Sequence, residues 1–226
     1  MKQKINKSLL LLTIMAIISC SKNDEAPTIE GVWKNMTAEP NEQTEYAYPG
    51  QTLCIHGSGF SELRKLFVNG TDIDLSSTLI YDTDSYITFQ LPADVRTSTY
   101  DQQDYIRVIT AYGEAVYRPF LVKPASEQPS ITHFSSTTLV AGRTLTITGV
   151  NLGGVTDVWL PLAFGDKVRC ELSAESEPTA TNVSVIIPDG VSFATGKCVI
   201  AMQKTDFLSG RTYTERVYSS TTDFTN

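Results

Sequence analysis

The sequence predicts an all-β protein built from two similar β-sandwiches, and three observations support this prediction. The segment at 51–60, QTLCIHGSGF, recurs at 143–152 as RTLTITGVNL, with aligned apolar residues and glycines 92 residues apart. Apolar and polar residues alternate with the period of two that a half-buried strand produces. The candidate strands are short and separated by Gly, Pro, Asn and Asp, and no helical pattern of useful length interrupts them.

The first residues are typical of an export signal. Three lysines precede an apolar run at 9–18, which is too short for a membrane-spanning helix of roughly 20 residues but suits a signal peptide over 1–19. The run ends in Ile-Ile-Ser-Cys at 17–20, which resembles the lipobox of bacterial lipoproteins. This resemblance implies cleavage before Cys20 and acylation of its thiol and amine, so that Cys20 anchors the protein in the outer-membrane lipid. An ordinary secretory leader that ends in cysteine is the alternative.

A short polar tether follows at 20–27. It resembles the acidic export signals of surface lipoproteins in glycan-degrading Gram-negative bacteria, and this resemblance implies display on the cell exterior. The full chain of 226 residues has a formal net charge of −7, and loss of the leader with its three lysines would make it −10. Such a charge argues against nucleic-acid or anionic-lipid partners, which bind basic patches.

The first sandwich is predicted over 28–123. An extra segment, VWKNMTAEPNEQTEYAYPG, precedes the repeated strand, whose glycine at position 57 suits a sharp bend or a positive φ. A strand pair in LRKLFVNGTDI comes next. The alternating strand YITFQLPADV ends at Pro92, which cannot donate to a ladder, and YIRVITAYGEAVYRPFLV completes the sandwich.

The second sandwich is predicted over 129–226, after a polar linker at 124–128 that lies between two prolines. Its repeated strand is followed by VTDVWLPLAFGDKV, VSVIIPDGV, KCVIAMQ and TYTERVYSSTTDF, in the same order as the elements of the first copy. Each unit has the size at which a seven-stranded sandwich can bury a sufficient core.

The two copies resemble the IPT/TIG immunoglobulin-like domain over nearly all of 28–226. The segments PGQTLCIHGSGF…VNG…ITFQLP and AGRTLTITGVNL…FGD…VSVIIP match its hallmark glycines, its small turn and its strand-ending proline. The second copy departs where Leu152 replaces the usual Phe and where VWLPLA adds residues. The resemblance implies tandem immunoglobulin-like sandwiches, and members of this family serve as spacers, dimerisation units and binding modules.

Catalysis is not predicted. The two histidines, His56 and His133, fall on candidate strands, where a half-exposed structural histidine is the usual explanation. No nucleophile elbow, zinc motif, phosphate loop or dinucleotide fingerprint occurs. The acidic pairs fall in turns, and no loop has the oxygen density of a calcium site. We therefore expect no enzyme activity, no cofactor and no bound metal.

The cysteines outside the leader are Cys54, Cys170 and Cys198. An oxidising compartment would permit a disulfide between Cys170 and Cys198, although two separate thiols in different strands remain the alternative. Cys54 has no partner in its own copy and is expected to be a free thiol near the sheet surface.

Aromatic residues are the remaining candidates for ligand binding, because sugars stack their C–H faces on exposed rings. Trp33 and Trp159 lie where the chain departs from its repeat, and each could instead pack beneath its own loop. Tyrosines beside acidic and amide-rich turns are weaker candidates: Tyr48, Tyr81, Tyr86 and Tyr105.

Lipid-anchored proteins with tandem IPT/TIG domains resemble accessory proteins of starch-utilisation-type uptake systems. This resemblance implies a non-catalytic surface lipoprotein that binds polysaccharide or oligosaccharide beside an outer-membrane transporter complex. The alternative is a spacer or adhesin-like lipoprotein that contacts other proteins and has no glycan affinity.

Overall fold

The structure, a computed structural model, describes residues 25–34, 43–99, 104–205, 210 and 212–226. The predicted signal peptide, the lipidation site Cys20 and the start of the tether lie outside these residues. The described chain is almost entirely β-structure, with one four-residue helix and two 3-10 turns, so the predicted all-β class is confirmed. No helix among the described residues is long and apolar enough to cross a lipid bilayer.

The first half of the chain forms two four-stranded sheets and a small parallel pair. Its elements are β1 (Thr28–Trp33), β2 (Tyr46–Ala47), β3 (Thr52–Ser58), β4 (Leu63–Val68), β5 (Thr71–Asp72), α1 (Leu75–Thr78), β6 (Leu79–Asp82), β7 (Tyr86–Gln90), β8 (Ile106–Thr110), β9 (Glu114–Tyr117) and β10 (Leu121–Val122). The strand orders are β1-β3-β7-β6 and β5-β4-β8-β9, and β2 pairs with β10.

The second half of the chain repeats this arrangement in one continuous sheet. Its strands are β11 (Ser130–Phe134), β12 (Thr144–Val150), β13 (Val155–Pro161), β14 (Lys167–Leu172), β15 (Asn182–Ile186), β16 (Val199–Thr205) and β17 (Thr212–Tyr218). The strand order is β11-β12-β15-β14-β13-β16-β17, because β14 pairs with both β13 and β15 and so joins the two layers.

Each half encloses its own hydrophobic core, as an immunoglobulin-like sandwich does. Leu53, Ile55 and Phe60 belong to the first core, and Leu145 and Ile147 belong to the second. A 3-10 turn at Ala125–Glu127 lies between the two halves, inside the predicted linker. The proposed domain boundary at 124–128 stays a prediction.

The repeat extends to the register of the strands. Ile29 lies opposite Gly57, Ile131 lies opposite Gly149, and a β-bulge follows each pair on the outer strand. Neither glycine has a positive φ, so the positive-φ alternative in the expectation is wrong. A Cβ at position 57 would instead collide with the Thr28 carbonyl oxygen of the neighbouring strand and with the Phe60 ring.

The two halves touch through a buried polar and aromatic interface. The Tyr48 hydroxyl donates a hydrogen bond to the Glu215 carboxylate at 3.2 Å. The Lys123 ammonium donates to the Tyr213 hydroxyl and lies 4.6 Å from the centroid of the Tyr46 ring. Tyr46 and Tyr213 rings are 4.8 Å apart. These contacts couple the first half to β17.

Candidate functional site

Four aromatic side chains lie on the outer surface of the β1-β3-β7-β6 sheet: Trp33, His56, Tyr81 and Tyr86, which we call the aromatic face. Alternation along each strand places them opposite the core, since Val32 and Ile55, their neighbours in sequence, are fully buried. Antiparallel pairing then brings the four strands side by side.

Three of these rings are in direct contact. The Trp33 and His56 rings are stacked, with centroids 3.8 Å apart and planes inclined by 17°. The Tyr86 ring meets His56 edge-on at 4.7 Å. Tyr81 lies opposite Thr88 in the register, one diagonal step from Tyr86. Tyr81 and Tyr86 are 49% and 39% exposed, which makes them the most exposed of the four side chains.

An amide group lies beside the Trp33 ring. Gln43 forms a β-bridge with Trp33, and its Nε2 donates to the Tyr117 hydroxyl at 3.5 Å. Gly31 makes this approach possible, because a Cβ there would meet both the Gln43 amide and the Trp33 ring. Such an amide beside aromatic rings can fix the hydroxyls of a ligand.

The aromatic face carries no full charge of its own near neutral pH. Desolvation by burial lowers the pKa of His56, and the nearby Glu30 carboxylate only partly opposes this shift. Cys54 lies fully buried beneath the rings, and burial raises the pKa of its thiol. An uncharged surface of this kind suits a neutral, polyhydroxylated ligand.

The second half has no such surface at the same positions. Its register places Ser135, Thr148 and Asn182 where the first half has Trp33, His56 and Tyr86. The Thr148 hydroxyl donates to the Asn182 side chain at 3.0 Å, so that this surface is hydroxyl- and amide-rich. The aromatic face is therefore not required by the shared fold.

The structure separates the other predicted residues from the aromatic face. Tyr48 is 2% exposed and belongs to the interface between the halves. Tyr105 is also buried, and its ring lies beneath the Arg118 guanidinium. Trp159 lies on β13, half-buried between Arg169 and Val199 on the neighbouring strands. Trp33 lies on β1. The sequence-based expectation that it lies in an insertion is therefore wrong.

Of the two alternatives for Cys170 and Cys198, the structure has two separate thiols and no disulfide. Cys170 and Cys198 are free and buried, and β13 separates them, because Val158 pairs with Cys170 on one side and with Ile200 on the other. Two strand spacings of about 4.8 Å exceed the roughly 7 Å that a disulfide allows between Cα atoms.

His56 is the member of the aromatic face that sequence reasoning missed. A single strand histidine has no distinguishing signal, and only the bulge after Ile29 brings Trp33 onto its ring. Tyr86 lies directly opposite His56 in the register, and this pairing is not visible in the sequence either.

Within the described residues, no group of three or more His, Cys, Asp or Glu side chains could hold a metal ion.

Comparison with known proteins gives structural likeness only. No family model matches the chain, and no curated protein matches it. The surface glycan-binding protein PbSGBP-B from Prevotella bryantii is 16% identical, over 85% of this chain and 41% of that one, with a TM-score of 0.36. The SGBP-B of a Bacteroides ovatus mixed-linkage glucan utilization locus, in complex with a mixed-linkage heptasaccharide, is 18% identical, over 87% and 46%, with a TM-score of 0.34.

Titin domains Z1Z2 in complex with telethonin are 14% identical, over 86% of this chain and 95% of that one, with a TM-score of 0.24. The chain spans less than half the length of the two glycan-binding proteins.

Proposed function

We propose that the protein is a non-catalytic, cell-surface lipoprotein that binds polysaccharide or oligosaccharide through the aromatic face. It would act as an accessory to an outer-membrane glycan uptake system. The observation that supports this proposal is the row of four aromatic residues on the outer sheet of the first half, set against Ser135, Thr148 and Asn182 at matching positions of the second.

The chemistry of the aromatic face fits a sugar chain. Pyranose rings present flat C–H surfaces that pack against exposed aromatic rings, while their hydroxyls need neighbouring donors and acceptors. Tyr81 and Tyr86 offer ring surface, and the Gln43 amide offers both a donor and an acceptor. The Trp33–His56 stack packs against Tyr86 and fixes its orientation.

The location at the cell surface rests on the sequence. The lipobox-like end of the leader and the acidic tether support an outer-membrane anchor at Cys20 that faces the exterior. Labelling of the exported chain with radioactive palmitate, with Cys20→Ser as the control, tests the anchor without reference to any ligand.

Glycan affinity electrophoresis of the chain from residue 21 to 226 tests the binding surface. A panel of plant, host and microbial polysaccharides should include at least one that retards the protein. Tyr86→Ala and Tyr81→Ala should each weaken binding about tenfold, which corresponds to about 1.4 kcal/mol, because each removes a stacking surface.

Two variants serve as controls for this experiment. Val140→Ala removes an exposed apolar side chain from the β11–β12 loop, and Asn182→Ala alters the matching surface of the second half. Both should bind as the wild type does. Retention on no polysaccharide, or equal losses in the controls, would contradict the proposal.

A rigid spacer that contacts other proteins is the second candidate function. The buried contacts of Tyr48 with Glu215 and of Lys123 with Tyr213 favour it, because they hold the two halves together. Absence of glycan retention, together with a fixed angle between the halves in solution scattering, would support this second function.

A further inference from the structure

A groove of about 710 Å³ runs between the two halves, which is within the range of pockets that hold small ligands. Its first-half wall includes Lys34, Tyr48 and Gln51, and the opposite wall comes from the second half. The groove is distinct from the aromatic face: Lys34 follows Trp33 in sequence, but its ammonium donates to the Tyr46 hydroxyl at 2.9 Å and Trp33 does not line the groove.

One wall of the groove is a loop that the first half lacks. The β13–β14 loop at 162–166 includes Leu162, Gly165 and Asp166, which line the groove. The corresponding strands of the first half, β4 and β5, are joined by a tight turn at Asn69 and Gly70, both with positive φ. The end of the added segment, with the loop after it, thus builds a wall of the groove, while Val158 and Leu160 at its start belong to the second core.

The groove is basic although the chain as a whole is acidic. Four cationic side chains line it: Lys34, Lys167, Lys197 and Arg216. Two carboxylates also line it, those of Asp166 and Glu215, and Glu215 accepts a hydrogen bond from Tyr48. The whole chain has a formal net charge of −7, so an excess of positive charge in one groove runs against the overall balance.

Two of the four cations are available to a ligand. Lys167 and Lys197 are exposed, and neither ammonium group has a salt bridge or hydrogen bond to another described residue. Tyrosine, glutamine and threonine side chains lie among them, including Gln128 and Thr195, and can bind sugar hydroxyls.

We propose that this groove binds the anionic groups of an acidic polysaccharide, with Lys167 and Lys197 as the residues that select for negative charge. The inference rests on the proposed glycan binding and assigns a ligand class to it. In the groove, the carboxylate or sulfate groups of the polymer meet the ammonium groups of these two lysines. An ammonium is a point charge and accepts either anion.

Calorimetry of the chain from residue 21 to 226 tests the inference with three probes: polygalacturonate, dextran sulfate and a neutral β-glucan. Wild type should bind at least one acidic polysaccharide more tightly than the β-glucan. Lys167→Gln combined with Lys197→Gln should weaken that binding about fivefold or more, since exposed charge pairs contribute modestly. The same binding should weaken from 50 to 300 mM salt.

Arg64→Gln combined with Arg143→Gln is the matched control, because it removes the same charge from exposed positions outside the groove. It should leave acidic-polysaccharide binding within twofold of wild type. Equal losses in the two double variants, or acidic binding no tighter than β-glucan binding, would overturn the inference. The Tyr86→Ala result decides separately whether the aromatic face binds glycan at all.

Discussion

At the scale of single residues, the motif glycines are explained by contact and not by backbone conformation. At Gly57 the neighbouring strand approaches so closely that the Thr28 carbonyl lies where a Cβ would be. Gly149 meets the Ser130 carbonyl and the Leu152 side chain in the same way. The bend residue after each glycine, Phe60 or Leu152, can then turn back into the core.

Gly57→Ala should lower the free energy of unfolding by about 2 kcal/mol or more, because a Cβ must displace either backbone or a fully buried ring. Urea titration followed by tryptophan fluorescence measures this loss. Gly153→Ala is the control, since nothing lies within 4 Å of the added carbon and its φ is not positive. A similar loss in both variants would show that steric contact is not the cause.

The buried thiols make stability depend on alkaline pH. Burial raises the pKa of Cys170 from 9.0 to about 11, against a weaker opposing hydrogen bond from Leu160. Below pH 9 the thiol is neutral in both the folded and the unfolded chain. Above pH 9 the unfolded chain loses the proton first, so the free energy of unfolding should fall between about pH 9 and pH 11, by roughly 2 kcal/mol.

Chemical denaturation across that pH range measures the effect. Cys170→Ala should flatten the decline relative to wild type, because it removes one titrating group and leaves Cys54, Cys198, the tyrosines and the lysines unchanged. A decline of the same size in this variant would assign it to those other groups.

At the scale of elements, the sequence predicts strands well and their faces less well. The alternation of Leu53 and Ile55 is visible in the sequence and is confirmed, as is the matching pair in β12. The sequence places Trp33 in an insertion, because a polar segment follows directly and gives no signal that β1 ends at Trp33. Its outward orientation depends on the bulge between Ile29 and Gly31, which shifts the register and has no signal of its own.

The β13–β14 loop stores backbone strain at Phe164. This residue has a φ of 64°, and its ring is fully exposed, so no burial offsets the strain. Phe164→Gly should therefore raise the free energy of unfolding by about 0.5–1 kcal/mol, as measured by urea titration. Phe164→Ala removes the ring but keeps the strain and should have less effect. A stability loss in Phe164→Gly would mean that the ring has a packing role.

At the scale of the whole molecule, the interface between the halves could not be predicted. Tyr48 and Glu215 are 167 positions apart in sequence, and each looks like an ordinary polar residue of a turn or strand. Only the folded arrangement shows that Glu215 is 2% exposed and bound by a tyrosine of the other half. The tyrosine that sequence reasoning selected for a ligand thus binds a carboxylate of its own chain.

Tyr48→Phe should uncouple the two halves in part. The substitution removes the donor to a buried carboxylate, which costs about 1–3 kcal/mol. Calorimetric unfolding should broaden or separate into two transitions where wild type shows one. Tyr105→Phe, a buried hydroxyl change within the first half, should keep the single transition. Two transitions already present in wild type would contradict this coupling.

Because the two halves share one strand register, the second half has a surface equivalent to the aromatic face but without its rings. Ser135, Thr148 and Asn182 lie at the register positions that Trp33, His56 and Tyr86 occupy in the first half. Transplanting those rings, together with His133→Gly to give the space that Gly31 leaves for Trp33, would add a second aromatic face to the proposed glycan binder, and avidity could then hold a long polymer.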